Sequence, residues 1–527
     1  MAGRAVSKIL VANRSEIAIR IVRAAYELGL EAVNVYSDED HLTLHRFSGH
    51  EAYRIGHGLT PTGAYLDIGE MLRVARESGC DGVHPGYGFL SENPDFAEAC
   101  AGAGITFIGP EPEVMRRLGN KVQARAIAEA ADVPVMPATE PLPDDPAEIS
   151  RLADEIGYPV MLKASWGGGG RGMRVIADER ELHSQIDMAR REAKAAFGND
   201  EVYLEKLVRN ARHVEVQVLG DQYGNVVHLF ERDCTVQRRH QKVVERAPAP
   251  YLDDAAREDI CNAALRLARS VDYTNAGTVE FLQDVDTGAY YFIEVNPRVQ
   301  VEHTVTEQVT GLDIVKAQIQ IAAGGRIGDA ATCGIPAQAD IGMRGSALQC
   351  RVTTEDPGNN FIPDFGRIVA YRSPAGPGIR LDAGTAYSGA VITRHYDSLL
   401  VKVTASGQHD REAVERMRRA LGEFRVRGVE TNLEFLAAVI THPRFLAADY
   451  NTRFIDETPE LLELPLPQTH ATKLVHYIGE VIVNGNPQVE GRARPAARRA
   501  PEPPPLPDPA VADGVRQILE RDGPEAV

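Results

Sequence analysis

The sequence lacks several features that would place it in particular classes of protein. No apolar run approaches the roughly 20 residues that a helix needs to cross a bilayer, so no membrane span is expected. The N-terminus enters a strand pattern without the apolar centre of a signal peptide. The six cysteines are scattered, with no Cys-x-x-Cys pair, which argues against structural zinc. Because this usage suits a reducing compartment, we expect a cytoplasmic protein.

Basic residues are in deficit as well. The chain has 57 Lys and Arg against 75 Asp and Glu, a net charge of -18. A phosphate backbone requires basic surface, so nucleic acid is not an expected partner, although a site can be locally basic on an acidic protein. At 527 residues, 43% hydrophobic and 25% charged, the chain predicts a globular protein of several domains.

A βαβ unit is predicted near the N-terminus. Residues 8–12 form a buried strand, residues 13–29 an amphipathic helix, and residues 32–36 a second strand. This succession predicts a parallel sheet. The glycine-punctuated loop 84–92 follows another strand, and it is either a plain connecting turn or part of the ligand-facing edge of the sheet.

Four consecutive glycines, residues 167–170, follow a strand that carries Lys163 and precede Arg171. Glycine lets the backbone approach phosphates closely, with amide groups as donors. A glycine run alone favours a hairpin turn, but the neighbouring basic residues favour a lid over phosphates. The run is not a Walker A loop, because no Gly-Lys-Ser/Thr closes it.

A polar face and a basic run come next. His213, Glu215 and Gln217 alternate with three valines, which predicts a strand with one polar face. By itself this alternation favours a polar face that lies in solvent over one that lines a site. The run 231–245 concentrates basic residues in an acidic protein, and it is either a solvated loop or an anion trap beside the glycine run.

Two strands, residues 277–282 and 290–295, are predicted to form a hairpin. Folding the hairpin about Thr287 places Glu280 opposite Glu294, and like charges that face each other destabilise a strand pair. A divalent cation reverses that effect, and Mg²⁺ prefers one or two carboxylates together with phosphates and water. The hairpin therefore predicts a magnesium site. A proton shared by the two carboxyl groups and a slipped register are the alternatives.

Polar residues continue at every second position beyond the hairpin: Glu294, Asn296, Arg298, Gln300 and Glu302. In an extended chain they all point the same way. Pro297 cannot donate to a strand ladder, so the regular strand is predicted to end there and the later members to reach the site from a loop. Metal ligands, a cation and a carboxylate base so close together favour a reaction centre over a solvated edge.

Taken together, these segments resemble the biotin carboxylases, which are ATP-grasp enzymes, from about residue 7 to about residue 455. The resemblance is carried by the glycine run, the strand 205–207, the segments 231–234 and 242–245, and the run 294–303. Trp166 and the stretches 138–143, 452–456 and 471–485 further resemble the biotin carboxylase domain of pyruvate carboxylases.

The resemblance implies a fold of the α/β and α+β classes. Its parts would be a Rossmann-like, parallel-sheet N-terminal (pre-ATP-grasp) domain at 1–120, an ATP-grasp domain at 121–330 with its glycine-rich lid at about 136–205, a C-terminal biotin carboxylase subdomain at 331–456, the start of an allosteric region at 457–490, and a Pro-rich linker with a truncated lead-in to a carboxyltransferase domain at 491–527.

The resemblance also implies a role for each matching residue. ATP would be bound by Lys121, Lys163, Gly169, Gly170, Glu205, Lys206, Leu207, His213, Gln237, His240 and Leu282, and Mg²⁺ or Mn²⁺ by Glu280, Glu294 and Asn296. Bicarbonate would be bound by Lys242, Arg298, Gln300 and the amide of Val301, and biotin or phosphate by Arg351. Glu302 would deprotonate bicarbonate. The resulting carboxyphosphate would release CO₂ beside biotin, whose enolate Arg298 would stabilise.

The implied reaction is MgATP-dependent carboxylation of biotin, the first half-reaction from pyruvate to oxaloacetate in anaplerosis and gluconeogenesis. Motifs of the carboxyltransferase and biotinyl domains are absent from the sequence. We therefore expect either a truncated product or a subunit that meets a biotin carrier and a carboxyltransferase in trans. The resemblance implies a dimer of this domain, within a tetramer of the full enzyme. Arg425 and Arg427 fit the phosphates of the activator acetyl-CoA, but His470 departs from the arginine common at its position.

Other functions stay open at this point. They are a biotin carboxylase subunit of an acyl-CoA carboxylase, an ATP-grasp ligase that joins a carboxylate to an amine, and a catalytically silent fragment that serves assembly or acetyl-CoA binding. The residues that favour bicarbonate and biotin over the ligase are Lys242, Gln300, Glu302 and Arg351. The intact motifs argue against the silent fragment.

Overall fold

The computed structural model describes residues 6–166, 173–463 and 470–484. The N-terminal part contains the predicted parallel sheet, in the order β3-β2-β1-β4-β5. Its elements are β1 (Lys8–Val11), α1 (Ser15–Glu27), β2 (Glu31–Tyr36), β3 (Glu51–Arg54), α2 (Pro61–Leu66), α3 (Ile68–Glu77), β4 (Gly82–His84), α4 (Pro94–Gly102), β5 (Thr106–Phe107) and α5 (Pro112–Gly119).

Alternate residues of β1 bury apolar side chains on both faces of this sheet. Ile9 and Val11 join a core that includes α1, while Leu10 joins the core on the opposite face. Because both faces are covered, the loops at the carboxyl ends of the strands are left to form a site. Asn13 links two of these loops by donating to the carbonyl of Pro85 (2.6 Å) and to that of Tyr87 (2.8 Å).

A small antiparallel sheet follows, in the order β7-β6-β8. The elements of this part are α6 (Lys121–Ala130), α7 (Pro146–Ile156), β6 (Val160–Ala164), β7 (Arg174–Ile176), α8 (Glu179–Phe197) and β8 (Val202–Lys206). The helices α7 and α8 pack on one side of the sheet around Leu162, Leu182 and Leu204. Lys163, between two buried neighbours on β6, is directed to the other side, where the cavity lies.

An eight-stranded antiparallel sheet dominates the rest of the described chain, in the order β13-β12-β9-β10-β11-β14-β21-β19. Five of its strands come first along the chain, with one helix among them: β9 (Ala211–Gly220), β10 (Val226–Arg238), β11 (Gln241–Ala247), α9 (Asp254–Ser270), β12 (Asn275–Asp284) and β13 (Tyr290–Asn296). The predicted end of the regular strand before Pro297 is confirmed. Strand β10 extends into the basic run as far as Arg238.

The other three strands of the sheet belong to the C-terminal part. The elements are α10 (His303–Thr310), α11 (Ile314–Ala322), α12 (Ala330–Cys333), β14 (Ser346–Thr353), β15 (Glu355–Asp356), β16 (Ile362–Pro363), β17 (Gly366–Arg367), β18 (Ala370–Arg372), β19 (Ile379–Ala383), β20 (Val391–Ile392), β21 (Leu399–Gly407), α13 (Asp410–Glu423), β22 (Arg425–Arg427), α14 (Leu433–Thr441) and α15 (Pro443–Leu446). Strands β14 and β21 carry a core that α13 and α14 cover.

The described residues up to 463 belong to one compact unit. The domain boundaries that we expect inside it, near 120, 330 and 456, stay predictions. Helix α16 (His470–Asn484) belongs to a second unit. No helix in the described ranges combines the length and the apolar character that a membrane span requires.

Candidate active site

A cavity of about 1180 Å³ is bordered by the N-terminal loops, the small sheet and one face of the large sheet. It gathers the following predicted site residues: Lys121, Lys163, Glu205, Lys206, Leu207, His213, Gln237, His240, Lys242, Glu280, Leu282, Glu294, Asn296, Arg298, Gln300, Val301, Glu302 and Arg351. The loop 84–92 contributes Tyr87, Gly88 and Phe89, so it lies at the ligand-facing edge.

Of the other four predicted residues, two are not described by the structure and two are described but do not line the cavity. Gly169 and Gly170 lie outside the described residues. Arg425 and Arg427 lie on the exposed strand β22, which pairs with β18 and does not line the cavity in the described part of the chain. The side chain of His470 also lies outside the description. The acetyl-CoA role of the two arginines therefore stays a prediction.

Glu280 and Glu294 are direct partners across β12 and β13, as the hairpin predicted. The register shifts by one residue immediately after Glu280, so that Phe281 opposes Phe292. Such a bulge re-aims side chains locally. The Oε2 atom of Glu294 lies 3.3 Å from Nζ of Lys121, and both acids line the cavity. At the Glu280–Glu294 pair the slipped register that the sequence left open does not occur, but from Phe281 toward the turn the pairing lies one residue away from that of a hairpin folded about Thr287.

Glu280 is held in its ionised form. Its Oε1 accepts hydrogen bonds from Nζ of Lys242 (2.8 Å) and Nε2 of Gln300 (2.9 Å), and its Oε2 lies 3.1 Å from Nε2 of His213. Burial raises the pKa of Glu280, but Lys242 and His213 outweigh burial and keep the pKa well below its ordinary value. A carboxylate with so many donors has no need to share a proton with Glu294.

The donor set fits a magnesium ion. Two carboxylates from adjacent strands face one cavity, and Mg²⁺ prefers such oxygen ligands together with phosphates and water. The side chain of Glu294 is 22% exposed, which leaves its carboxylate accessible to a metal ion from the cavity. Asn296 lies beside the pair, donating to Glu280 (2.9 Å) and accepting from Arg298 (3.1 Å). His213, Glu215 and Glu280 also bring ligand atoms within 4.8 Å of one another.

Lys242 lies among three carboxylates. Its Nζ donates to Glu215, to Glu280 (2.8 Å) and to Glu302 (2.7 Å). Burial lowers the pKa of this ammonium group, but the three acids outweigh burial and raise the pKa well above its ordinary value. Lys242 is therefore a fixed cation at neutral pH, directed into the cavity.

Glu302 lies between two cations at the start of α10. Its Oε1 accepts from Lys242 (2.7 Å), and its Oε2 accepts from Nη2 of Arg351 (3.0 Å). Burial raises the pKa of Glu302, but Lys242 and Arg351 hold the pKa well below its ordinary value. Arg351 also donates from Nε to Glu245 at 2.5 Å, so its guanidinium is fixed on both edges. The carboxylate is thus ionised at neutral pH, and Lys242 and Arg351 lower its affinity for a proton.

The remaining anion-binding candidates lie on the loop between β13 and α10. Arg298 donates from Nε to Glu92 at 2.5 Å, and Glu92 belongs to the glycine-punctuated loop. The side-chain oxygen of Gln300 accepts from Arg232 at 3.1 Å. The carbonyl of Val301 accepts from Lys402 at 3.1 Å, which fixes the orientation of that peptide group.

Some of the nucleotide candidates line the cavity where the small sheet borders it. Lys163 on β6 pairs with Glu205 on β8, across the register Lys163↔Tyr203 and Met161↔Glu205. The amide of Lys206 donates to the carbonyl of Pro137 at 2.8 Å, and its Nζ donates to the carbonyl of Gly157 at 2.7 Å. These contacts order the 205–207 segment at the cavity wall.

One expectation drawn from local pattern was wrong. The polar face of β9 was favoured to lie in solvent, yet Glu215 and Gln217 are 0% exposed. The face is buried because Arg232 and Lys242 from neighbouring strands pair with it. Of the two alternatives for the run 231–245, the solvated loop does not occur, because the run forms most of β10 and β11, and Arg238, His240 and Lys242 line the cavity.

Family models match three successive ranges of the chain. "Biotin carboxylase, N-terminal domain" matches residues 5–115, "Carbamoyl-phosphate synthase L chain, ATP binding domain" matches 120–329, and "Biotin carboxylase C-terminal domain" matches 349–457. The biotin carboxylase domain of the 2-oxoglutarate carboxylase of Hydrogenobacter thermophilus, a dimer in complex with MgADP, ADP and bicarbonate, is 42% identical. The chain covers 100% of that domain with 88% of its own length, at a TM-score of 0.84.

The chain belongs to the biotin carboxylase family.

Two other solved structures are similar to this chain. The biotin carboxylase of Campylobacter jejuni, in complex with β,γ-ATP, is 38% identical over 86% of this chain and 99% of that one, at a TM-score of 0.81. Pyruvate carboxylase of Rhizobium etli with its allosteric activator acetyl coenzyme A is 60% identical over 98% of this chain and 46% of that one, at a TM-score of 0.86.

Curated relatives agree. Mitochondrial pyruvate carboxylase of Mus musculus is 52% identical over 99% of this chain and 44% of its own length. Pyruvate carboxylase of Bacillus subtilis is 51% identical over 100% of this chain and 46% of its own length. This biotin carboxylase chain therefore spans a little under half the length of those relatives. These matches show that the chain is an enzyme of the ligase class.

Sequence reasoning missed the residues that hold this biotin carboxylase site in place. Arg232 is 0% exposed and donates hydrogen bonds to Glu215 (2.5 Å) and Gln300 (3.1 Å). Glu245 holds Arg351, and Glu92 holds Arg298. All were visible in the sequence as charged residues beside the motifs. Their partners come from distant segments, so no local spacing indicated the pairs.

Proposed function

We propose that the chain catalyses the MgATP-dependent carboxylation of biotin by bicarbonate. The observation that carries the proposal is the cluster of Lys242, Glu302 and Arg351, a cation–carboxylate–cation arrangement in the same cavity as the Glu280–Glu294 pair. The likeness to a domain in complex with MgADP and bicarbonate supports it. Magnesium, held by Glu280, Glu294 and Asn296, would neutralise charge on the phosphates of ATP.

The cations are placed to receive a small anion between the base and the phosphates. Bicarbonate carries one negative charge, and Lys242, Arg298 and the amide of Val301 border the space beside Glu302. In the free site Lys242 and Arg351 are paired with Glu302. An arriving anion competes for these cations, so the pKa of Glu302 rises toward the range in which a general base works.

The chemistry that follows is positioning and charge stabilisation. Glu302 removes the proton of bicarbonate, the anion attacks the γ-phosphorus, and carboxyphosphate and ADP are formed. Carboxyphosphate then splits into CO₂ and inorganic phosphate beside biotin. The phosphate takes the proton of the ureido nitrogen of biotin, and this nitrogen attacks CO₂ to give carboxybiotin. The guanidinium of Arg298 stabilises the enolate oxygen that forms on the way, and Arg351 seats biotin or phosphate. Fixed cations at the points where negative charge accumulates supply the electrostatic part of the catalysis.

ADP formation by the full chain, measured with and without bicarbonate and free biotin, tests this proposal. We expect turnover that requires bicarbonate and rises with biotin. An ATP-grasp ligase for a carboxylate and an amine would ignore both additions, and a silent fragment would form no ADP. Either of these results would contradict the proposal.

We also propose that the chain supplies the first half-reaction of a pyruvate carboxylase. The identities of 52% and 51% to two pyruvate carboxylases support this over a subunit of an acyl-CoA carboxylase. A biotin carrier and a carboxyltransferase domain would be the partners that pass the carboxyl group to pyruvate. Supplying both domains with either pyruvate or an acyl-CoA, and following the carboxylated product, separates the two acceptors.

We propose a dimer of this domain, with assembly to a tetramer in the full enzyme, because the Hydrogenobacter relative is a dimer. Light scattering of the chain tests the dimer.

Activation by acetyl-CoA is proposed from the Rhizobium enzyme, which carries that activator. The rate of ADP formation with and without acetyl-CoA tests it. A cytoplasmic location also stays a proposal, supported by six buried free cysteines and tested by cell fractionation.

A further inference from the structure

The turn between β10 and β11 contains two left-handed residues that are not glycine. Arg238 and Gln241 are partners at the strand ends, so Arg239 and His240 alone make the turn. Their φ angles are 48° and 64°. A two-residue turn with positive φ at both positions favours Asn-Gly, because other side chains are strained there. A strained turn of this kind persists only where the surrounding structure holds it.

The loop between β15 and β16 provides that support. Nη2 of Arg238 donates to the backbone carbonyl of Asn360 (2.8 Å) and to its Oδ1 (3.0 Å). Nη2 of Arg239 donates to the same Oδ1 at 3.2 Å. The guanidinium carbon of Arg238 lies 3.8 Å from the centre of the Phe361 ring, which is a cation–π contact. We name Arg238, Asn360 and Phe361 the arginine clamp.

One side of the arginine clamp is anchored in the core of the C-terminal part. Phe361 is 7% exposed and contacts Phe435 edge to face, with ring centres 4.9 Å apart. Asn360 and Phe361 themselves have φ angles of 55° and 59°. The contact therefore joins two left-handed segments, of which one is fixed by core packing and the other is the exposed turn.

The turn matters because it lies between site residues. Gln237 and Arg238 precede it and Lys242 follows it, and all three line the cavity together with His240 at the turn itself. A relaxed turn would move His240 directly and would disturb the strand ends beside it. The clamp thus connects the C-terminal part to this part of the cavity.

We propose that the arginine clamp is a positioning device that holds the left-handed Arg239–His240 turn so that His240 faces bound nucleotide. The inference rests on the proposed function only in taking the ligand of His240 to be ATP or ADP. Arg238 acts through the turn in this proposal and does not itself touch the ligand.

The first test is Arg238→Met in the full chain, which removes the guanidinium donors and keeps an unbranched stem. Calorimetric titration with MgADP should give a Kd that is weaker by about tenfold, since two charged hydrogen bonds and one cation–π contact are lost from the support of the turn. At saturating ATP, kcat for ADP formation should change by less than about threefold, because the chemistry at Glu302 is untouched.

The second test is rescue by a residue that suits the left-handed turn. Arg239→Asn placed in the Arg238→Met background should return the Kd of MgADP to within about threefold of the wild-type value, because Asn adopts positive φ more readily than Arg. If Arg238 contacts the nucleotide itself, Asn at 239 cannot replace that contact. Failure of the rescue would therefore overturn the proposal.

A matched control is Arg326→Met, which removes a guanidinium 5.5 Å from the ring of Tyr223, away from the residues that line the cavity. It should leave the Kd of MgADP unchanged. The urea midpoint of each variant shows that the chain is folded. An Arg238→Met chain that is folded and binds MgADP like the wild type would contradict the clamp. Because MgADP binding needs neither bicarbonate nor biotin, the clamp is tested even if biotin carboxylation fails.

Discussion

The two faces of β9 are equally buried but are stabilised by different means. On one face Val214, Val216 and Val218 are 0% exposed and belong to an apolar core with residues of α9. On the other face Glu215 and Gln217 are 0% exposed as well, but Glu215 contacts Arg232 and Lys242. Apolar burial stabilises a fold directly, whereas a buried ion pair must first offset the loss of hydration.

The difference indicates that the two faces serve different purposes. Replacing a buried ion pair by apolar residues is often neutral or stabilising, so the charged face is not explained by stability. It is explained by chemistry, because each charge either lines the cavity or holds one that does. The predictions below separate the two faces, one by its effect on activity and the other by its effect on folding.

The largest effect is expected on the charged face, from Glu280→Gln. Removing one of the two carboxylates proposed for magnesium should lower bicarbonate-dependent ADP formation by at least about 100-fold, since a single preorganised electrostatic partner is worth that much. The matched control is Glu129→Gln on the exposed side of α6, which should keep the wild-type rate. Equal rates for both variants would refute the role of Glu280.

A large loss of stability is expected from Arg232→Met on the same face. Glu215 would lose a fully buried partner, and breaking such a pair by removing one member costs about 3–5 kcal/mol in the free energy of unfolding. Urea titration followed by circular dichroism measures the loss. Adding Glu215→Gln should restore part of it, because a buried carboxylate that has lost one of its cations is removed. A double variant no more stable than the single one would contradict the pairing.

On the apolar face, Val216→Ala should cost about 1–3 kcal/mol in the free energy of unfolding, from the apolar area lost. The same urea titration measures this. ADP formation by the folded variant should stay within about threefold of the wild type, because Val216 points away from the cavity. Loss of activity without loss of stability would show that the two faces are not separate in function.

The smallest effect is the dependence of stability on acid. The pKa of Glu280 is lowered in the folded chain, so its stabilisation is present above about pH 4.5 and is lost as the pH falls below that value. Each such group contributes a slope of up to about 1.4 kcal/mol per pH unit. Urea midpoints at pH 5, 4.5 and 4 should fall less steeply for Glu280→Gln than for the wild type. Parallel curves would contradict the assignment.

Much of the fold and of the cavity was predictable because the relevant signals are local. Hairpin symmetry placed Glu280 opposite Glu294, Pro297 marked the end of β13, and the N-terminal alternation of strands and helices indicated a parallel sheet. The resemblance to a family supplied the roles of single residues, which spacing alone leaves open.

What failed were inferences that needed knowledge of distant partners. The alternation along β9 was interpreted as a solvent-facing surface, because the sequence does not reveal that Arg232 and Lys242 come from neighbouring strands to pair with it. The bulge after Glu280 and the hold of Glu92 on Arg298 were also hidden. Periodicity indicates which face is polar, and only tertiary structure tells what covers that face.

The central claim is that Glu302, held ionised by Lys242 and Arg351, is the base that activates bicarbonate. Glu302→Gln keeps the shape of the side chain and removes its capacity to accept the proton. Bicarbonate-dependent ADP formation should fall below detection in this variant, while the Kd of MgADP stays within about threefold of the wild-type value. Turnover that persists, or turnover and MgADP binding lost together, would contradict the claim.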